Sequence, residues 1–119
     1  MTTDDAGTTV LRIPATGPAL ATPQDALDLI GQAWGSGATT IAVPASRFDS
    51  TFFDLRSGLL GEVTQKFVNY RLRLAIVGDV SVFTTMSHAF GDYVRETNAG
   101  PHVWFVADDA ELDAKLAAA

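Results

Sequence analysis

Asp79 is the carboxylate with the most chemistry within reach. It follows the hydrophobic run Leu72 to Val77 and the break at Gly78, which sets it at the end of a strand. Arg47, Arg56 and Arg71 are the cations that could join it there. A carboxylate held beside a guanidinium can act as an acid/base pair, and the arginines can hold a small anion. Nothing in the chain supplies a nucleophile or an oxyanion hole, so no residue is assigned a catalytic role. There is no G-x-G-x-x-G, no Walker loop and no H-E-x-x-H. His88 has Asp92 and Glu96 at steps of four, which reads as a solvated helix face, and His102 at a strand start reads as structural. With zero cysteines, disulfides, thiolate catalysis and Cys-ligated zinc are excluded. No cofactor and no metal are expected.

A second set of residues suggests contact rather than catalysis. The stretch FFDLRSGLLGEVTQKFVNYRLRLAIV, Phe52 to Val77, reads as an amphipathic helix to about Val68, a turn at Asn69, Tyr70 and Arg71, and a buried strand. At 100° per residue, Phe52, Leu55, Leu59, Leu60, Val63 and Phe67 share one face, with Phe53 at its margin. Asp54, Gly58, Gly61 and Gln65 fall on the opposite face. Each glycine in a helix interior costs roughly 1 kcal/mol relative to alanine. Two on one exposed stripe suggest a flat strip that another backbone approaches. Arg56 projects into the apolar stripe and needs an acid such as Asp79 or Asp49, or an escape to water. The expected binding residues are therefore Asp54, Arg56, Gly58, Gly61, Gln65, Asn69, Tyr70, Arg71 and Asp79.

Four strand-then-helix units position these groups. Thr8 to Ile13 is the first strand, with a short additional one at Ala19 to Ala21. Thr22, Pro23 and Asp25 start a helix whose inward residues are Ala26, Leu27, Ile30, Ala33 and Trp34, and Gly35 and Gly37 end it. Thr39 to Val43 is a β-branched strand stopped by Pro44, after which Asp49 or Ser50 caps the central helix. A loop or short turn from Asp79 to Thr85 leads to a helix over Met86 to Thr97, with Met86, Phe90, Tyr93 and Val94 inward. His102 to Val106 is the fourth strand, and Asp108 with Glu111 opens a last helix. Such alternation implies an α/β fold with a mostly parallel sheet of four to five strands. Its carboxyl edge, where ligands of open α/β sheets bind, would carry Ser46, Arg47, Asp49, Ser50, Gly78, Asp79, Ser81, Asp108 and Asp109. A three-layer flavodoxin-like sandwich is the alternative.

The 119 residues suit one domain over residues 8–119 behind a disordered start at 1–7. No apolar run reaches the length of a membrane span, and the polar, acidic MTTDDAG start is unlike a signal peptide, so the cytoplasm is expected. The net charge of −6 argues against nucleic acid. Arg47, Arg56, Lys66, Arg71 and Arg73 outweigh Asp49, Asp54 and Glu62 between positions 47 and 73. That segment suggests a local basic face for an acidic partner or a small anion.

The central stretch, with AIVGD after it and Glu96-Thr97-Asn98-Ala99-Gly100 at the end of the next helix, resembles bacterial domain of unknown function 4180. The pattern is FFDL-x-(T/S)-G-x-x-GE-x-x-QKF-x-NYR. The chain departs from the family at Leu60, where alanine is expected, and at Ala89, where serine is expected. The resemblance implies no activity. The order of units, and Phe48-Asp49-Ser50-Thr51 before a helix, is similar to the STAS domains of anti-sigma-factor antagonists. That likeness implies βα turns stacked as a superhelix and a phosphorylated serine at this position, here Ser50, although Pro44 stands near where those domains carry an aspartate. The expectation is a regulatory or interaction module that binds a protein partner or a second copy of itself, with neither nucleic acid nor membrane as partner. An anion binder or enzyme at the Asp79 edge, and a phospho-switch at Ser50, are the alternatives.

Overall fold

Alternating β-branched runs and capped amphipathic helices fold into units that step across one sheet. The computed structural model describes residues 10–118. The strands are β1 (Val10–Arg12), β2 (Thr40–Pro44), β3 (Arg73–Val77) and β4 (Val103–Val106). They pair in parallel in the order β1-β2-β3-β4. The helices are α1 (Pro23–Ser36), α2 (Leu59–Asn69), α3 (Ser81–Met86), α4 (His88–Asn98) and α5 (Asp109–Ala118). The α/β class and the four units are as expected. The flavodoxin-like alternative is not, because its strands run in the order 2-1-3-4, whereas these follow chain order. The extra strand expected at Ala19 to Ala21 is reduced to a single bridge between Leu20 and Phe48. The expected disordered start at 1–7 lies outside the described residues, as do Thr8 and Thr9 of the expected first strand.

Strand alternation sorts the side chains to two faces. Ile41, Val43, Leu74, Ile76, Val103 and Phe105 join the main core with Leu29 and Ile30 of α1, Phe67 of α2 and Phe90 of α4. Ala42, Ala75, Trp104 and Val106 form a second, smaller core with Leu112 and Leu116 of α5. Arg12 holds α5 over that face through Asp109 and Asp113, at 2.8 and 2.9 Å. Thr22 is the expected N-cap of α1, and with Asp25 it closes a full capping box. Thr22 and Asp25 exchange side-chain bonds with each other's backbone, and the backbone N–H of Ala21 holds the Asp25 carboxyl below its ordinary pKa.

Two expected inward residues face water. Trp34 is 66% exposed and Met86 79%. The buried stripe of α1 is Ala26, Leu29, Ile30 and Ala33, so Trp34 stands at its margin, and α1 stops two residues later. Met86 is the last residue of α3, because Ser87 breaks the chain and caps α4 by accepting from the Phe90 N–H at 3.1 Å.

The largest departure is in the central stretch. No continuous helix runs from Phe52. Two 3-10 turns, Ser50–Phe53 and Leu55–Ser57, come before α2. Two aspartates account for them. Asp49 accepts from the Thr51 N–H at 3.1 Å and Asp54 from the Arg56 N–H at 3.0 Å. Such local bonds compete with helical ones. Gly58 then turns the chain at φ 76°, a left-handed conformation that no helix interior contains. The two glycines of the expected strip therefore differ in kind. Gly58 is required by its backbone, while Gly61 is an ordinary helical residue with open space where a side chain would be. Gly58→Ala is expected to cost about 1 kcal/mol, and Gly61→Ala to gain about 0.5–1 kcal/mol. Opposite shifts of the urea midpoint at constant slope would bear this out.

Candidate functional site

Strand ends and helix starts share the carboxyl edge of such a sheet, and strand starts and helix ends share the amino edge. The binding residues expected from the sequence divide between these edges. Asp54, Arg56, Gly58 and Asp79 belong to the carboxyl edge, and Asn69, Tyr70 and Arg71 to the amino edge, with Gly61 and Gln65 between them on α2. Arg71 precedes β3 and Asp79 follows it, so at about 3.3 Å per residue they stand roughly 20 Å or more apart. Arg56 does not enter the core. Without a continuous helix there is no stripe for it to interrupt, and its side chain is 92% exposed beside Asp54, at 3.3 Å. Arg47 faces the loop before α1, where it donates to the carbonyls of Pro14 at 2.8 Å and of Thr16 and Pro18 at 3.2 Å. The structure thus does not assemble the expected pairing of Asp79 with arginines. The basic segment is not one face either. Arg47 and Arg56 go to one edge, and Lys66, Arg71 and Arg73 to the other.

The carboxyl edge does hold a cleft. It has a volume of about 360 Å³ and is lined by Ala45, Ser46, Phe48, Ser50, Phe53, Val77, Gly78, Asp79 and Phe83. Among the described residues, Asp79 is its one ionisable lining residue. The backbone N–H of Ser81 donates to Asp79 Oδ1 at 2.8 Å and holds the carboxyl below its ordinary pKa, so it is ionised at neutral pH. A lone carboxylate repels an anion, which reverses the charge preference expected for this edge. Ser50 is exposed on the cleft rim, but the N–H that a phosphate would need there is already bonded to Asp49. A phosphate on Ser50 would meet that carboxylate, and the turn it opens is four residues long.

At the amino edge, Trp34 and Tyr70 meet edge to face with ring centroids 5.8 Å apart. They are 66% and 44% exposed. Both helices that carry them end in the same motif. Ala38 N–H bonds to Ala33 O and Gly37 N–H to Trp34 O in α1; Leu72 N–H bonds to Phe67 O and Arg71 N–H to Val68 O after α2. This Schellman closure needs a left-handed residue, usually glycine. α1 uses Gly37 at φ 76°, but α2 uses Arg71 at φ 59°. A left-handed non-glycine residue costs about 1–2 kcal/mol. Gln65 and Asn69 are joined beside it by a 2.8 Å bond along α2. Sequence reasoning finds Gln65, Asn69, Tyr70 and Arg71 but misses Trp34, whose helical spacing places it in the core.

The family described as Domain of unknown function (DUF4180) matches residues 5–116 of the chain. The chain belongs to this family. No curated protein and no solved structure matches it, and the likeness to STAS domains is not confirmed. In this DUF4180 chain the FFDL to NYR run links both edges. It supplies Phe53 to the cleft and Tyr70 and Arg71 to the amino edge, while the AIVGD segment supplies Gly78 and Asp79. The Glu96 to Gly100 segment is structural: the Asn98 side chain exchanges two bonds with the backbone of Phe105, at 2.7 and 3.2 Å, and Gly100 O accepts from Trp104 Nε1 at 2.7 Å. Leu60 is 1% exposed and fills the core. Among the described residues no helix is long and apolar enough to cross a membrane, and no group of three or more His, Asp or Glu could hold a metal ion.

Proposed function

We propose that this protein works by binding an acidic protein partner through its amino edge, with Trp34, Tyr70 and Arg71 as anchors and Gln65 and Asn69 beside them. The observation that carries the reading is the exposed Trp34–Tyr70 pair next to an arginine in a backbone position that favours glycine. Trp, Tyr and Arg are the residues most enriched where interface energy concentrates. The surrounding charge supports an acidic occupant. Lys66, Arg71, Arg73, Arg95 and Lys115 lie at strand starts or near the ends of helices that point to this edge, with the acids Glu96 and Asp92 among them, Asp92 paired with Arg95. Acids gather instead at the helix starts, as Asp25, Glu62, Asp109 and Glu111 do. Of the face expected from the sequence, Gln65 belongs to this surface. Asp54 and Gly58 belong to the far end of the central stretch.

Arg71→Gly separates binding from folding. It should stabilise the domain by about 0.5–1 kcal/mol, because glycine accepts the left-handed backbone, and yet weaken the complex. Trp34→Ala should leave stability nearly unchanged and cost about 2 kcal/mol of binding, roughly 30-fold. The partner is found by capture on the full chain, then purified and titrated against wild type and both variants at two salt concentrations. Equal affinity for all three proteins, or binding that ignores salt, would sink the proposal. A concentration-dependent solution mass lost in both variants would identify the partner as a second copy of the chain.

A further inference from the structure

We propose that the carboxyl-edge cleft is a site for a small organic amine, a protonated amino group on an apolar body. This site lies at the opposite edge from the partner surface and does not depend on it. Phe48 and Phe53, 8% and 5% exposed, and the half-buried Phe83 give the cleft its apolar wall. Phe53 and Phe83 stack with centroids 4.5 Å apart, so the wall is held in place. The floor is fixed where the loop after β3 presses on the chain after β2. A Cβ built on Gly78 would stand 3.0 Å from the Ala45 Cβ.

The polar groups sit on the rim, and their chemistry selects the ligand. Asp79 uses Oδ1 to cap the Ser81 N–H, which leaves Oδ2 to accept from an ammonium group. Among the described residues, the Ser46 and Ser50 side chains make no hydrogen bond, so two hydroxyl oxygens remain to accept the other ammonium protons. No cation competes. Arg47 is bonded to the loop carbonyls of Pro14, Thr16 and Pro18, and Arg56 to Asp54. One carboxylate, two hydroxyls and an aromatic wall in about 360 Å³ match a small ligand with a cationic head and an apolar body.

The experiment is an amide NMR titration of the full chain with phenethylamine. 2-Phenylethanol, which keeps the ring and lacks the charge, is titrated in parallel, and both are repeated on Asp79→Asn. Asparagine keeps an oxygen for the Ser81 cap and removes only the charge. The expected result is saturable shifts at Ser46, Ser50, Gly78 and Asp79 with phenethylamine, and binding weakened about tenfold or more by either change. Shifts that do not saturate, shifts confined to other parts of the chain, or equal binding of the alcohol or of the Asn variant would overturn the assignment.

Discussion

Phe52→Ala should lower the free energy of unfolding by about 3–5 kcal/mol, a large share of the roughly 5–15 kcal/mol that holds a typical domain together. Phe52 is 0% exposed. It stacks on Phe48 with centroids 4.0 Å apart and meets Phe53 edge to face at 5.2 Å. A void of about 10 Å³ already lies beside it, lined also by Leu29, Phe48, Val63 and Phe67. Truncation would enlarge that void among side chains that other helices hold in place, so little relaxation is available. Phe53→Ala is the discriminating companion. On a continuous helix Phe53 lies at the margin of the buried stripe, and its loss would cost little. In the structure it is 5% exposed and touches Phe83 and Phe90, at 4.5 and 5.9 Å. Both variants should therefore lose several kcal/mol in urea unfolding. A Phe53→Ala cost below about 1 kcal/mol, with Phe52→Ala still costly, would restore the helix.

That contrast shows where the sequence was legible and where it was not. The class, the strand sequence and the start of α1 follow from patterns that act over short distances: β-branched runs, Thr22 with Pro23 and Asp25, and Gly37 after the last helical turn. The apolar period over Phe52 to Phe67 was also real, and those side chains do reach the core. Periodicity alone did not show that Asp49 and Asp54 each bond to the backbone two residues on and stop the helix from starting before Leu59. Asp-x-Thr and Asp-x-Arg ahead of Gly58 were the available signals. The candidate site was less legible because it depends on which edge each charge reaches. Arg56, Arg71 and Asp79 are close in sequence. A strand runs between the last two, and a turn sends the first to water. Trp34 shows the same limit, since α1 ends before any neighbour can cover it.

Gly78→Ala should cost about 2–6 kcal/mol, and the cost should split into two separable parts. One is the backbone: φ is 144°, a region L-residues rarely occupy, at about 1–3 kcal/mol. The other is steric, because the new methyl would stand 3.0 Å from Ala45 Cβ, and overpacking of this kind costs about 1–3 kcal/mol. Neither loop can retreat easily. Gly78 N–H bonds to Val106 O at 2.8 Å, and Pro44, just before Ala45, pairs in register with Val77, just before Gly78. Gly78→Ala with Ala45→Gly should therefore recover the steric part and leave the backbone part, a coupling of about 1 kcal/mol or more in a double-mutant cycle. Gly31→Ala, in open space on α1, is the control and should not destabilise. Strict additivity of the two changes would mean that the loops do not touch there. The cleft would then lack the rigid floor that holds Asp79 against its aromatic wall.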